Sequence, residues 1–361
     1  MLPLFAALVA ASTAVLIFAG GLVTSTGSGL SVPDWPNTYG WFMFAFPFSK
    51  MVGGIFYEHA HRLIASTVGF LIVVLAVWLG RVEPRPWVRR LGYLALGAVI
   101  LQGILGGITV LWYLPDVISI AHASLAQILF CLTVTIALAT STGWRRAYAK
   151  QKGEGGRGKG EETPDDRMLQ HIAIATTAVI YLQILIGATM RHTGAGLAIP
   201  DFPLSFGHLI PPYWDSRIAI HFAHRVGAAI VTVLIGATTG HVFFHHARRA
   251  ELRRPAILLL VLLVLQITLG AITVLGNKPF IINSLHVVNG ALVLVTSLVL
   301  TLRAHRSRFV DWVAGGTNFS DTPWILPDDL SDEAPRAKSE ARRAKSGEVR
   351  DAANGYGGVR A

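Results

Sequence analysis

The chain has 361 residues, 52% of them apolar and only 14% charged, with a formal net charge of +10. That is a membrane composition, and its basic excess flanks apolar windows without forming a groove-sized patch, which excludes nucleic acid as a partner. Eight windows are long and apolar enough for the roughly 20 residues of helix that a bilayer needs. In chain order they lie near 2–25, 57–80, 91–113, 118–140, 169–190, 217–240, 256–275 and 281–302. The first opens Met-Leu-Pro-Leu, with no basic segment and no small-residue cleavage site, so it reads as a span and not as a removed signal peptide. Long loops rich in Gly and Pro, 26–56 and 193–216, follow the first and fifth windows. Segment 142–167, with its Gly-rich charged run QKGEGGRGKGEETPDDR, reads as a flexible linker, and 307–361 as a disordered tail.

Basic residues gather after the even-numbered windows. Arg81, Arg85, Arg89 and Arg90 follow the second, and Arg145, Arg146 and Lys150 the fourth. Arg248, Arg249, Arg253 and Arg254 follow the sixth, and Arg303, Arg306 and Arg308 the eighth. The alternate loops carry few, Lys50, Arg191, Arg217 and Lys278. The positive-inside rule then puts both termini in the cytoplasm. The only cysteine, Cys131, falls inside the fourth window and allows no disulfide within the chain.

The chain repeats itself. TGSGLSVPDWP at 26–36 returns as TGAGLAIPDFP at 193–203, and EHAHR at 58–62 returns as HFAHR at 221–225. Leu101-Gln102 through Leu111 is answered by Leu265-Gln266 through Leu275, and His122 by His286. Each half, 1–141 and 168–306, holds four windows, so both enter the membrane from the same side. The expected architecture is an all-α integral membrane protein, eight helices in two parallel-repeat four-helix bundles. Gly103, Gly106, Gly107, Gln102 and their counterparts Gly270, Ala271 and Gln266 read as close-packing positions.

Each repeat brings two histidines inside apolar segments, His61 and His122, then His224 and His286. All four lie within roughly 10 Å of the outer boundary at 1.5 Å per residue. Ionisable groups at such positions are costly and point to function. Equal depth on alternate helices suits two imidazoles facing each other across one haem iron. Zinc fits poorly, for want of further ligands at suitable spacing. Arg62 and Arg225 follow their histidines and suit haem propionates or helix-end anchoring. Glu58 breaks the symmetry. It lies three residues before His61 on the same helix face, and its counterpart is His221. One half thus has a carboxylate near its iron and the other has none, which suggests a division of labour. His171, His192, His208, His241, His245, His246 and His305 read as interfacial or solvated.

These motifs together, over roughly 15–305, resemble the haem A synthase family of cytochrome oxidase assembly enzymes. The resemblance implies a haem b cofactor in the second half, ligated by His224 and His286. It implies that haem O, the substrate, binds the first half through His61 and His122, with Glu58 as the catalytic carboxylate. The implied reaction oxidises the C8 methyl of haem O to a formyl group, giving haem A. It also implies an inner (plasma) membrane location, homo-oligomers, an electron acceptor, and association with the farnesyltransferase that makes haem O. Some members carry loop cysteine pairs, which this chain lacks. From the residues alone, a dihaem b-type electron-transfer protein and a haem carrier remain open.

Overall fold

The computed structural model describes residues 1–145 and 166–306. Eight long helices are present among the described residues: α1 Leu2–Ser25, α2 Gly54–Val82, α3 Pro86–Leu111, α4 Asp116–Thr140, α5 Arg167–His192, α6 Ser216–His245, α7 Ala250–Leu275 and α8 Phe280–Ala304. All eight are long and apolar enough to cross a membrane, and the described residues contain no β-strand. This is a multi-pass, all-α membrane protein. Most of the 142–167 linker and the 307–361 tail lie outside the described residues.

The helices match the apolar windows and overrun them into polar flanks. The largest overrun is at α7, which starts at Ala250 and contains Pro255. Proline cannot donate to the carbonyl four residues back. That carbonyl, Glu251 O, instead accepts a 2.7 Å hydrogen bond from Arg303 of α8. The helix therefore runs through the proline with its backbone satisfied. At the start of α5, Asp166 caps the helix by accepting from Leu169 N–H at 2.9 Å.

Between helices in lipid there is little hydrophobic drive, so packing and interhelical hydrogen bonds must hold them. α1 packs on α2 and α4, and α3 packs on both α2 and α4. Likewise α5 packs on α6 and α8, and α7 on both α6 and α8. The first set meets around Ile72, Leu75, Leu79, Leu129 and Ile136, all nearly inaccessible. The second meets around Ile180, Ile235, Leu259 and Leu294. It adds hydroxyl contacts, Thr176 to Thr238 at 2.7 Å and Thr177 to Ser297 at 2.7 Å.

The two sets share a seam of Ile17, Phe130, Ala291 and Val295, with Cys131 packed beside it. Small residues let α1 approach α8 there, since a Cβ on Gly21 would sit 3.4 Å from Ser284. Ser25 and Ser284 share a hydrogen bond of 2.9 Å, and Arg191 of α5 donates to Gly21 O and Ser25 Oγ. These contacts join both sets into one unit at the end that carries the long loops. The arginine clusters mark the opposite end.

Candidate functional site

The long loops are the structured lids of this molecule, and the repeat shows in their hydrogen bonds. Asp34 accepts from Tyr39 N–H and Gly40 N–H, both at 2.8 Å, and Asp201 accepts from Phe206 N–H and Gly207 N–H, both at 2.8 Å. Gly40 and Gly207 have φ of 74° and 77°, which glycine adopts without strain. Burial works to raise the Asp34 pKa, but the Gly40 and Tyr39 amides outweigh it and hold the carboxyl below its usual range. The Gly207 amide is the main cause of the same lowering at Asp201. The paired aspartates are turn-builders, as their identical Pro-Asp-aromatic-Pro frames suggest.

Arg62 and Arg225 reach from α2 and α6 into these loops. Arg62 donates to the carbonyls of Asp34 (2.7 Å), Asn37 (3.0 Å) and Val32 (2.9 Å), and Arg225 to those of Leu204 (2.7 Å), Asp201 (2.6 Å) and Ile199 (3.2 Å). Both guanidinium groups therefore clamp a lid to its helix. Of the propionate partners suggested by sequence, Arg225 keeps its Nε buried without a partner. His59 also serves the lid, lying 3.0 Å from Thr38 Oγ1 and against the ring of Phe46.

Glu58 and His221 occupy equivalent slots. Val32 N–H donates to Glu58 Oε2 at 2.8 Å, and Ile199 N–H donates to His221 Nδ1 at 3.2 Å. Glu58 is 3% exposed, and its other oxygen accepts from Arg62 at 2.6 Å. The first half thus buries an ion pair under its lid where the second half buries an imidazole.

The four histidines sit about 9–12 Å along α2, α4, α6 and α8 from the helix starts at the loop end, at 1.5 Å per residue. Each imidazole lays its Cε1 edge on a glycine of a neighbouring helix. A Cβ there would stand 3.1 Å away at Gly20 for His61, 3.2 Å at Gly106 for His122, 2.9 Å at Gly187 for His224 and 3.1 Å at Gly270 for His286. Three rings have a glutamine beside them. Gln183 lies 3.0 Å from His224 Nδ1, and Gln102 and Gln266 lie 3.3 Å from Nε2 of His122 and His286. The position equivalent to Gln183 in the first half is Leu16, so His61 lacks this neighbour.

Buried ring nitrogens without partners remain at Nδ1 of His61, His122 and His286. A buried imidazole nitrogen left unpaired is costly unless something coordinates or bonds it. Three rings with an unpartnered buried nitrogen and the fourth, His224, each set on a glycine that leaves room for it, could hold haem iron. Sequence reasoning missed Gly20, Gly187 and Gln183, although Gly20 and Gly187 stand at the repeat offset of 167 residues. A cleft of about 610 Å³ opens at the arginine-rich end among Leu138, Pro255 and Arg303. No histidine lines it.

The fold and site define a class, a multi-pass helical membrane protein with buried histidines on alternate helices beneath structured loops. A family model described as cytochrome oxidase assembly protein matches residues 4–299, and the chain belongs to that family. It is similar to the heme A synthase of Symbiobacterium thermophilum, 33% identical over 284 residues, covering 76% of this chain and 87% of that one. It is 26% identical to the heme A synthase of Geobacillus kaustophilus, over 76% of this chain and 84% of the relative. It is 25% identical to that of Halalkalibacterium halodurans, over 86% and 99%.

Proposed function

We propose that this protein is a haem A synthase, an oxidoreductase that converts the C8 methyl of haem O to the formyl group of haem A. The observation that carries this is the asymmetry between otherwise matched halves. Glu58, paired with Arg62, lies beneath the first lid where His221 lies beneath the second. The relatives' shared name supports the reaction, and the buried histidine pairs support haem as the molecule handled.

In this reading His61 and His122 hold the substrate in the first half. His61, with Leu16 where the second half has Gln183, is the less tethered ring, as an exchangeable ligand requires. His224 and His286 hold the haem b cofactor, with Gln183 and Gln266 fixing the orientation of their rings. Haem b bound there supplies a path for the electrons removed from the substrate. Glu58 accepts a proton near the reacting methyl or stabilises positive charge developing on its carbon. Arg62 keeps that carboxylate in place and ties it to the lid, which excludes water. Arg225, whose Nε is buried without a partner, and His221 would be available to the cofactor in the second half.

The arginine clusters support a reading with both termini in the cytoplasm and the haem sites towards the outer face of the plasma membrane. A homo-oligomer, an external electron acceptor and delivery of haem O by the farnesyltransferase that makes it belong to the same reading. The test is co-expression with a haem O synthase, then chromatography and mass analysis of extracted haems. Haem A or its hydroxylated precursor is expected. Recovery of haem b and unconverted haem O alone would favour an electron-transfer or carrier role.

A further inference from the structure

The arginine-rich end holds a second group of ligand-type side chains, at the opposite end of the helices from His61, His122, His224 and His286. Asp166, at the start of α5, points its Oδ2 at two imidazoles of the last turn of α6 and just beyond. His241 Nε2 and His246 Nε2 each lie 2.7 Å from it. Among the described residues, this is the one place where three His, Cys, Asp or Glu ligand atoms gather within 4.8 Å of one another. The sequence reading took both histidines as interfacial or solvated. The structure instead half-buries them, with side chains 17% and 11% exposed beside a carboxylate 22% exposed.

We propose that Asp166, His241 and His246 form a binding site for a divalent first-row transition ion of the zinc class. Two imidazole nitrogens and one carboxylate oxygen are the donor set such ions prefer. Three protein ligands leave a fourth position for water. The carboxylate is preset, because its other oxygen, Oδ1, accepts from Leu169 N–H at 2.9 Å as the cap of α5. That outer hydrogen bond orients the ligand, as supporting interactions do in built metal sites. His241 is steadied in turn by His245, stacked on it with ring centroids 4.3 Å apart. Bonds of about 2.0–2.1 Å from a tetrahedral ion hold ligand atoms about 3.3 Å apart. The present 2.7 Å contacts therefore need to open by only several tenths of an ångström, within the reach of two side-chain rotations. An ion there pins the start of α5 to the end of α6.

The proposal does not depend on the haem A synthase reading, and its readouts are metal binding and thermal unfolding. Full-length protein without a polyhistidine tag is stripped with a chelator in detergent and titrated with Zn²⁺ against a chromophoric indicator. Haem content is followed by absorbance throughout. One Zn²⁺ per chain is expected, with a rise in the thermal unfolding midpoint. His246→Gln and His241→Ala should each weaken binding by about 100-fold or more and abolish that rise. His171→Ala, on an exposed residue outside the group, should leave both unchanged. A cooperative thermal transition in the absence of Zn²⁺ shows that the variants are folded. Equal Zn²⁺ affinity in wild type and the His241→Ala/His246→Gln double variant, or no binding at about 100 µM, overturns the site and leaves an imidazole–carboxylate network only.

Discussion

Adding one methyl group beneath an imidazole proposed to ligate haem tests the site from its least chemical side. At Gly187 an added Cβ would lie 2.9 Å from His224 Cε1, and at Gly270 it would lie 3.1 Å from His286 Cε1. Ordinary carbon contacts begin near 3.5 Å, so each ring must retreat by roughly half an ångström. The rings cannot slide freely, because Gln183 and Gln266, one turn before those glycines on the same helices, lie at hydrogen-bond distance from ring nitrogens of His224 and His286. Overpacking of this kind costs about 1–3 kcal/mol. If that cost falls on the ligated geometry, haem retention drops by about 5- to 150-fold. Gly103, on the same helix as Gly106, has nothing within 4 Å of its would-be Cβ and provides the control. The assay is haem per chain by pyridine haemochrome, with the position of the main absorption band, in Gly187→Ala, Gly270→Ala and Gly103→Ala. Loss and a shifted band are expected in the first two and neither in the third. Wild-type haem content and spectrum in both Gly187→Ala and Gly270→Ala would refute the placement of these rings at iron.

Three further outcomes are expected. Arg62→Lys keeps a charge but not the fork that spans three carbonyls and Glu58. It should lower the thermal midpoint by several degrees and speed proteolysis within 26–56, whereas unchanged cleavage would contradict the clamp. Asp34 and Asp201 have depressed folded pKa values, so their stabilisation of the lids is complete above about pH 4 and is lost as pH falls further. Lid proteolysis should therefore stay flat between pH 8 and 5 and rise in acid, and Asp34→Asn should remove part of that rise. Gly107→Ala would meet the Trp35 ring at 2.8 Å and displace the first lid, which a change in tryptophan fluorescence would report.

The spans were legible because lipid leaves only helices that satisfy their own backbone, and the eight apolar windows carry that signal without tertiary context. The four histidines were legible because the repeat sets them at matched depth in segments where an imidazole is costly. The helix ends were not. Pro255 reads as a breaker, and only Arg303, 52 residues beyond Glu251, supplies the missing hydrogen bond. Arg62 and Arg225 read equally well as propionate ligands or anchors, because a guanidinium matches carboxylate and carbonyl alike. Their engagement with the lids depends on loop turns that no periodicity encodes. Gly20 and Gly187 were hidden in apolar runs, where glycine is unremarkable until a ring is found facing it. His241 and His246 lie 75 and 80 residues from Asp166, so no spacing rule links them.

In the proposed reading the first half performs the oxidation and the second holds a cofactor. Glu58→Ala tests it most directly, in cells supplied with haem O, with haems extracted and identified by mass. The variant should keep the haem b held by His224 and His286 and accumulate unconverted haem O, with haem A absent. Retained haem b guards against simple unfolding, since Glu58 is itself part of a buried ion pair. A normal yield of haem A from Glu58→Ala would contradict the claim.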